Sequence, residues 1–250
     1  VVVKIIKEML KELIEKHGIS DEQVSIKSKH DSQKVAAKTL TPEEAIGKPI
    51  HNDYPIITGV EKMMEATFKS SRGVAFTDHY GFFSGKLIEI IELPLENNFQ
   101  RAVFISTLNA VLSEFDIISK TVHCRNDEML DCADQVVDWI KSNFGEPVIF
   151  QVGLQPRFVE KLSEQFTVLI TDRDEKNYGK KFNGTTVSDP VKSEEFIQQA
   201  DLIFATGSIF TNNTYKHFYD KNKPLAIYGV TGAGIASLLK LPRFCPCGHE

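Results

Sequence analysis

Residues 243–250 read RFCPCGHE, with two cysteines one residue apart and a histidine two residues further on. The 250-residue chain has only four cysteines, so half of them stand in this stretch. The other two, Cys124 and Cys132, lie in TVHCRNDEMLDC, where His123 directly precedes Cys124. Four thiols and two imidazoles form the donor set of zinc, of an iron–sulfur cluster or of another soft metal ion. The candidate ligands are therefore His123, Cys124, Cys132, Cys245, Cys247 and His249. Their spacing matches no common zinc ribbon or ferredoxin run, because no two cysteines stand as C-x-x-C. His123 and Cys124 are adjacent, which is awkward for two ligands of one ion, so one of them is expected to serve. The competing reading makes Cys124 and Cys132 small core residues and gives the closing segment no fixed place.

A second polar set lies in TGSIFTNNT, residues 206–214. Capping the next helix explains one of these side chains, not Thr206, Ser208, Thr211, Asn212, Asn213 and Thr214 together. The glycines of GVTGAG, residues 229–234, offer backbone N–H groups to an anion or simply make a tight turn. The G-x-G-x-x-G fingerprint of a dinucleotide site is absent; GLQPRF has one glycine followed by a proline. No G-x-S-x-G is present, and sequence neighbours such as His123 and Cys124 seldom face each other as a nucleophile and its base. FTDHYGFF puts Asp78 and His79 near the end of a strand, where they could line a cleft or sit in a turn.

The elements that must position these residues follow from periodicity. VKIIKEMLKELIEKH places Ile5, Ile6, Met9, Leu10, Leu13 and Ile14 on one helical face, with Gly18 as its stop. EQVSIKSK and SSRGVAFTD read as strands, and TPEEAIGKPIHNDYPIITG as an ordered loop. SGKLIEIIEL reads as a helix capped by Ser84, and NNFQRAVFISTLNAVLSEF as a longer buried helix. Beyond about residue 145 the apolar runs PVIFQV, TVLIT, DLIFAT and LAIYG alternate with helical stretches, among them NTYKHFYD. Strands apolar throughout predict a parallel sheet covered on both faces. The expected organisation is an α+β unit over residues 1–95 and a Rossmann-like unit over 96–250, with ligands beyond the carboxyl ends of the strands.

Composition narrows the function. Hydrophobic residues make up 42%, charged residues 25%, and the net charge is −5. That balance predicts neither a nucleic-acid nor a membrane partner. Lys4, Lys7 and Glu8 interrupt the apolar opening at helical spacing, unlike a signal peptide. A cytoplasmic protein with reduced thiols is expected.

Four segments in order resemble one family: FQRAVFISTLNAVLSEF, TVHCRNDEMLDCA, ADLIFATGSIFTNNT and YGVTGAGIASLLKLPRFCPCGHE. The resemblance, from about residue 40 onward, is to uncharacterised bacterial and archaeal proteins labelled for heavy-metal chelation. It implies a first domain similar to the enolase N-terminal domain, a Rossmann-like domain after it, and a ligand cleft between them. It also implies metal-cofactor metabolism in an anaerobic setting. Carried over by position, the implied ligand-binding residues are Asn109, Thr206, Gly207, Asn212, Asn213, Gly232 and Gly234, beside the His123–Cys124–Cys132 segment. VTGAG stands where such proteins often have a proline, so this turn departs from the pattern. The expectation is a metal-binding protein, alone or as a homo-oligomer. Its rival is an enzyme or binding protein for a small polar or phosphorylated metabolite held in the cleft.

Overall fold

The structure, a computed structural model, describes residues 2–26 and 39–250. The amphipathic opening forms α1 (Val2–His17). Ile6, Leu10 and Ile14 are buried one turn apart, while Ile5 is 46% exposed. Gly18 follows at φ +64°, the left-handed conformation that ends a helix. Next come β1 (Gln23–Ile26) and β2 (Thr39–Leu40). The rest of the strand expected at EQVSIKSK, residues 27–29, lies outside the described residues.

The stretch expected as an ordered loop carries two short helices, α2 (Pro42–Ile46) and α3 (Pro55–Thr58). A capping box starts α2: the Glu44 N–H donates to Thr41 Oγ1 at 3.2 Å, and the Thr41 N–H donates to the Glu44 carboxylate at 2.9 Å. Strands β3 (Lys62–Phe68) and β4 (Ser71–Thr77) form an antiparallel hairpin, and β5 (Ser84–Lys86) pairs with β1. Together these give a five-stranded sheet whose pairs are all antiparallel. Ser84 is not a helix cap, because it pairs with Ser25; α4 (Leu87–Glu92) begins after Lys86.

Helix α5 (Asn98–Glu114) is buried over residues 101–113 and packs on β3 and β4 on one side and on the second unit on the other. Its approach to β4 is closest at Gly73. A Cβ there would stand 2.3 Å from the Ala110 nitrogen and 2.4 Å from the Ser106 oxygen, so the contact requires glycine.

The second unit opens with α6 (Glu128–Phe144), which the sequence reading did not expect. It continues through β6 (Ile149–Val152), α7 (Pro156–Ser163), β7 (Val168–Thr171), β8 (Lys181–Phe182) and β9 (Thr185–Ser188). Then come α8 (Ser193–Gln199), β10 (Leu202–Thr206), α9 (Ser208–Thr211), β11 (Leu225–Tyr228), α10 (Ala233–Leu238) and β12 (Arg243–Phe244). The sheet runs β12-β11-β10-β6-β7-β9-β8, parallel throughout except for β8 against β9. The four expected apolar strands are therefore parallel neighbours at its centre. NTYKHFYD makes only one tight turn, at Tyr215–His217, rather than a helix. No helix among the described residues is long and apolar enough to cross a membrane.

This strand order fixes where a site can form. From β6 the chain moves outward to β7 and β9, then returns to β10 on the other side of β6. The switch leaves a crevice beyond the carboxyl ends of β6 and β10.

Candidate functional site

Gly153 directly follows β6, Thr206 ends β10, and both stand at that crevice. Gly153 has φ +89°, and a Cβ there would meet Thr206 Cγ2 at 2.7 Å and Tyr228 Oη at 3.1 Å. The Tyr228 hydroxyl donates to the Gly153 and Val152 carbonyls at 2.8 and 3.1 Å. Burial pushes its pKa well above the usual phenol range.

Two cavities open from this point and share Pro55, Glu61, Gly153, Asp172, Thr206 and Ser208. The smaller, of about 150 Å³, is lined on its far side by His123, Cys124, Cys132 and Cys245. The larger, of about 560 Å³, runs past Asp78, Arg173, Asp174, Asp189 and Asn212.

The thiol side of the small cavity draws on three segments. The strand-like run after α5 is fixed along β4: the Val74 N–H donates to the Thr121 carbonyl at 3.1 Å, and Thr121 Oγ1 donates to the Arg72 carbonyl at 2.6 Å. The next residue, Val122, pairs antiparallel with His249 through two backbone hydrogen bonds of 2.9 and 2.8 Å. Arg243 adds a bond to the Ser119 carbonyl at 3.1 Å, and the Lys120 N–H donates to Glu250 Oε1 at 3.0 Å. The closing segment therefore has a fixed place against residues 119–122. Helix α6 delivers Cys132 from its second turn.

All four cysteines are free thiols, Cys124 and Cys132 buried, Cys245 and Cys247 half-buried. Cys245 and Cys247 pack on the cluster holding Cys124, and Cys247 also packs on the cluster holding Cys132. Gln135 Nε2 lies 3.8 Å from Cys247 Sγ. Burial pushes the Cys124 and Cys132 thiols far up, and neighbouring Cys245 and Cys247 push them further, since adjacent thiolates repel.

The two histidines differ. His123 Nδ1 lies 2.7 Å from the Cys124 carbonyl, which only accepts, so Nδ1 carries the proton and Nε2 keeps its lone pair. Burial lowers the His123 pKa, which favours this neutral ring. His249 Nε2 is instead engaged by Glu128 Oε2 at 2.7 Å.

By type, the donors fit a soft cation. They do not form a ready ligand shell: among the described residues no group of three or more His, Cys, Asp or Glu side chains is arranged to hold a metal ion. Protonated thiols gain nothing from facing one point, and binding requires them to lose protons and turn.

The other expected site residues separate into two groups. Thr206 lines both cavities and Asn212 lines the larger. Asn109 is fully buried, and its amide is occupied inside the protein. Nδ2 donates to the Val74, Val230 and Thr231 carbonyls at 3.0, 3.2 and 3.1 Å, and Oδ1 accepts from the Gly234 N–H at 2.8 Å. It ties β4 to the turn before α10. Gly207 and Gly232 meet backbone to backbone; a Cβ on Gly207 would lie 2.2 Å from the Gly232 nitrogen. Asn213 takes a left-handed turn at φ +59°. Gly207, Asn213, Gly232 and Gly234 do not line either of these two cavities.

Glu61 was not foreseen. It stands at the junction of both cavities and accepts from Asn212 Nδ2 at 3.3 Å. Burial raises its pKa; the Asn212 bond and Arg173 oppose this, and Asp172 and Asp78 add to it. It precedes β3 by one residue, and only the tertiary arrangement brings it to the strand ends of the other sheet.

The chain is similar in structure to a protein of unknown function of the DUF364 family from Pyrococcus horikoshii. The TM-score is 0.53 and the identity 16%, over 93% of this chain and 80% of that one. A second DUF364 protein of unknown function, from Desulfitobacterium hafniense DCB-2, gives a TM-score of 0.44 and 12% identity over 71% and 72% of the two chains. At such identities the first likeness is one of fold. No protein-family model and no curated protein matches the chain.

Proposed function

We propose that the protein binds a soft metal ion, zinc or one with still greater thiol preference, through Cys124, Cys132, Cys245 and Cys247. One observation carries this reading: Cys124, Cys132 and Cys245, from three separate segments, line one small cavity as free thiols, and Cys247 packs on the clusters that hold Cys124 and Cys132. Small buried cysteines used only for packing have no reason to gather. His123 Nε2 is the nitrogen donor available on the same wall. Bound there, an ion would supply Lewis acidity to whatever enters the adjoining cavity. The residues around it hold the thiols: the Val122–His249 pairing fixes the closing segment, and α6 fixes Cys132.

The heavy-metal chelation label, the enolase-like first domain and the anaerobic metal-cofactor setting rest on sequence resemblance and belong to this proposal. So does a cytoplasmic location, which would keep the thiols reduced. The test is metal content after purification without oxygen and exposure to zinc. Each of the four single Cys→Ser variants should lose metal to a similar extent, while His249→Ala should retain it. Full zinc retention in all four Cys→Ser variants, or no zinc in the wild type, would sink the reading.

A further inference from the structure

The larger cavity raises a separate question, one that does not depend on the thiol wall. It has the position expected of a ligand site in a parallel sheet and a volume suited to a small molecule. What it would accept depends on which of its polar groups are already engaged.

Most of its carboxylates have structural partners. Asp172 Oδ2 accepts from the Leu154 N–H at 2.7 Å, and Oδ1 accepts from the Asp174 N–H and Asn177 Nδ2, both at 2.9 Å. Asp174 and Asp189 accept from the Lys176 and Val191 N–H groups at 3.1 and 2.8 Å, capping the turns that follow. Asp78 holds Asn98, His79 and Arg173. Glu61 has a single side-chain partner, Asn212, on Oε1; among the described residues Oε2 has none.

We propose that this cleft is a binding site for a small organic cation, such as a primary amine, and that Glu61 is the carboxyl that receives it. Three considerations point the same way. Among the described residues facing the cleft, carboxylates outnumber the one arginine, Arg173, so a phosphate would meet a repulsive field and an amine an attractive one. A hard metal ion needs several carboxylates free to turn oxygens toward it, whereas those of Asp172 are held by N–H donors. Glu61, with Thr206 and Ser208 beside it, offers the acceptors that an ammonium's three N–H groups require.

Proton linkage follows from the surroundings of Glu61. Asp172 and Arg173 face it from the loop after β7, Asp78 from the end of β4, Asn212 from the end of α9 and Tyr228 from β11. Burial favours the protonated carboxyl, and an arriving cation favours the ionised one. Binding therefore lowers the Glu61 pKa and releases a proton wherever the free site still holds one.

Isothermal titration with 1,4-diaminobutane, magnesium chloride and inorganic phosphate tests this. Repeating the diamine titration in two buffers of different ionisation heat reads proton release. The diamine should bind saturably, with a proton release that grows as the pH is lowered toward the raised Glu61 pKa. Glu61→Gln should weaken it roughly tenfold or more, and Arg173→Gln, at a half-exposed position, should strengthen it. Circular dichroism and melting confirm that both variants fold. Zinc content, measured in parallel, should not change in either variant, which separates this proposal from the thiol reading. Saturable binding of phosphate or magnesium in place of the diamine, no diamine binding, or undiminished binding by folded Glu61→Gln would each overturn it.

Discussion

Val122 and His249 donate to each other's carbonyls at 2.9 and 2.8 Å, and this pairing brings Cys245 and Cys247 to the segment that holds Cys124. Proline at 249 removes the N–H that bonds the Val122 carbonyl. His249→Pro should cost about 0.5–1.5 kcal/mol of stability and expose the closing segment. Cys245 and Cys247 should then react severalfold faster with a thiol reagent, as mass spectrometry of labelled peptides would show. Unchanged rates would mean that the pairing does not hold the thiols.

Gly73 allows α5 to rest on the backbone of β4. Gly73→Ala forces a methyl group to within 2.3 Å of the Ala110 nitrogen, an overlap with backbone that no rotamer relieves. The expected loss is about 2 kcal/mol or more, read as a lower urea midpoint with unchanged slope. A midpoint equal to the wild type would contradict so close a contact between helix and sheet.

Asn109 joins the two units with four hydrogen bonds from one side chain. Asn109→Ala leaves three buried carbonyls and the Gly234 N–H without this partner. With about 1–3 kcal/mol for each group left unsatisfied, the variant should lose at least about 3 kcal/mol by chemical denaturation. Metal content measured on the folded fraction should be preserved. Loss of metal without loss of stability would instead place Asn109 in the site.

Glu61 gives stability a pH dependence. Its folded-state pKa is raised above the ordinary value of 4.5, chiefly by burial, so the folded protein holds this proton more tightly than the unfolded chain. The contribution is fully present below the unfolded pKa and disappears as pH rises through the folded one. Glu61→Gln removes that loss. The variant should match the wild type at acid pH and be the more stable above the folded pKa, by denaturation across a pH series. A gap that widens toward acid pH would mean the pKa is lowered, not raised.

The parallel sheet was legible because β6, β7, β10 and β11 are buried on both faces and so apolar at nearly every position. Helix α6 was not. Its first turns, EMLDCADQ, carry the acids and the cysteine that drew attention as ligands and hid its amphipathic face. The capping signal Thr41–Glu44 was present in the stretch read as a loop, but the helix it starts is only five residues long. The aromatic spacing of NTYKHFYD imitates a helix, whereas Tyr215 and Phe218 simply fill the core beneath a turn. The cysteines and Thr206 were found by residue type and strand position. Glu61 could not be found that way, because a glutamate before a strand becomes notable only once the other sheet's strand ends lie beside it.

The central claim, that the gathered thiols bind a soft metal, is tested most directly by titrating reduced, chelator-treated protein with cobalt(II) in the absence of oxygen. The account predicts an intense sulfur-to-cobalt charge-transfer band that saturates near one ion per chain, is displaced by zinc, and is lost when Cys124 and Cys247 are replaced by serine. Saturating cobalt with no such band, and with all four cysteines as reactive toward a thiol reagent as before, would contradict it.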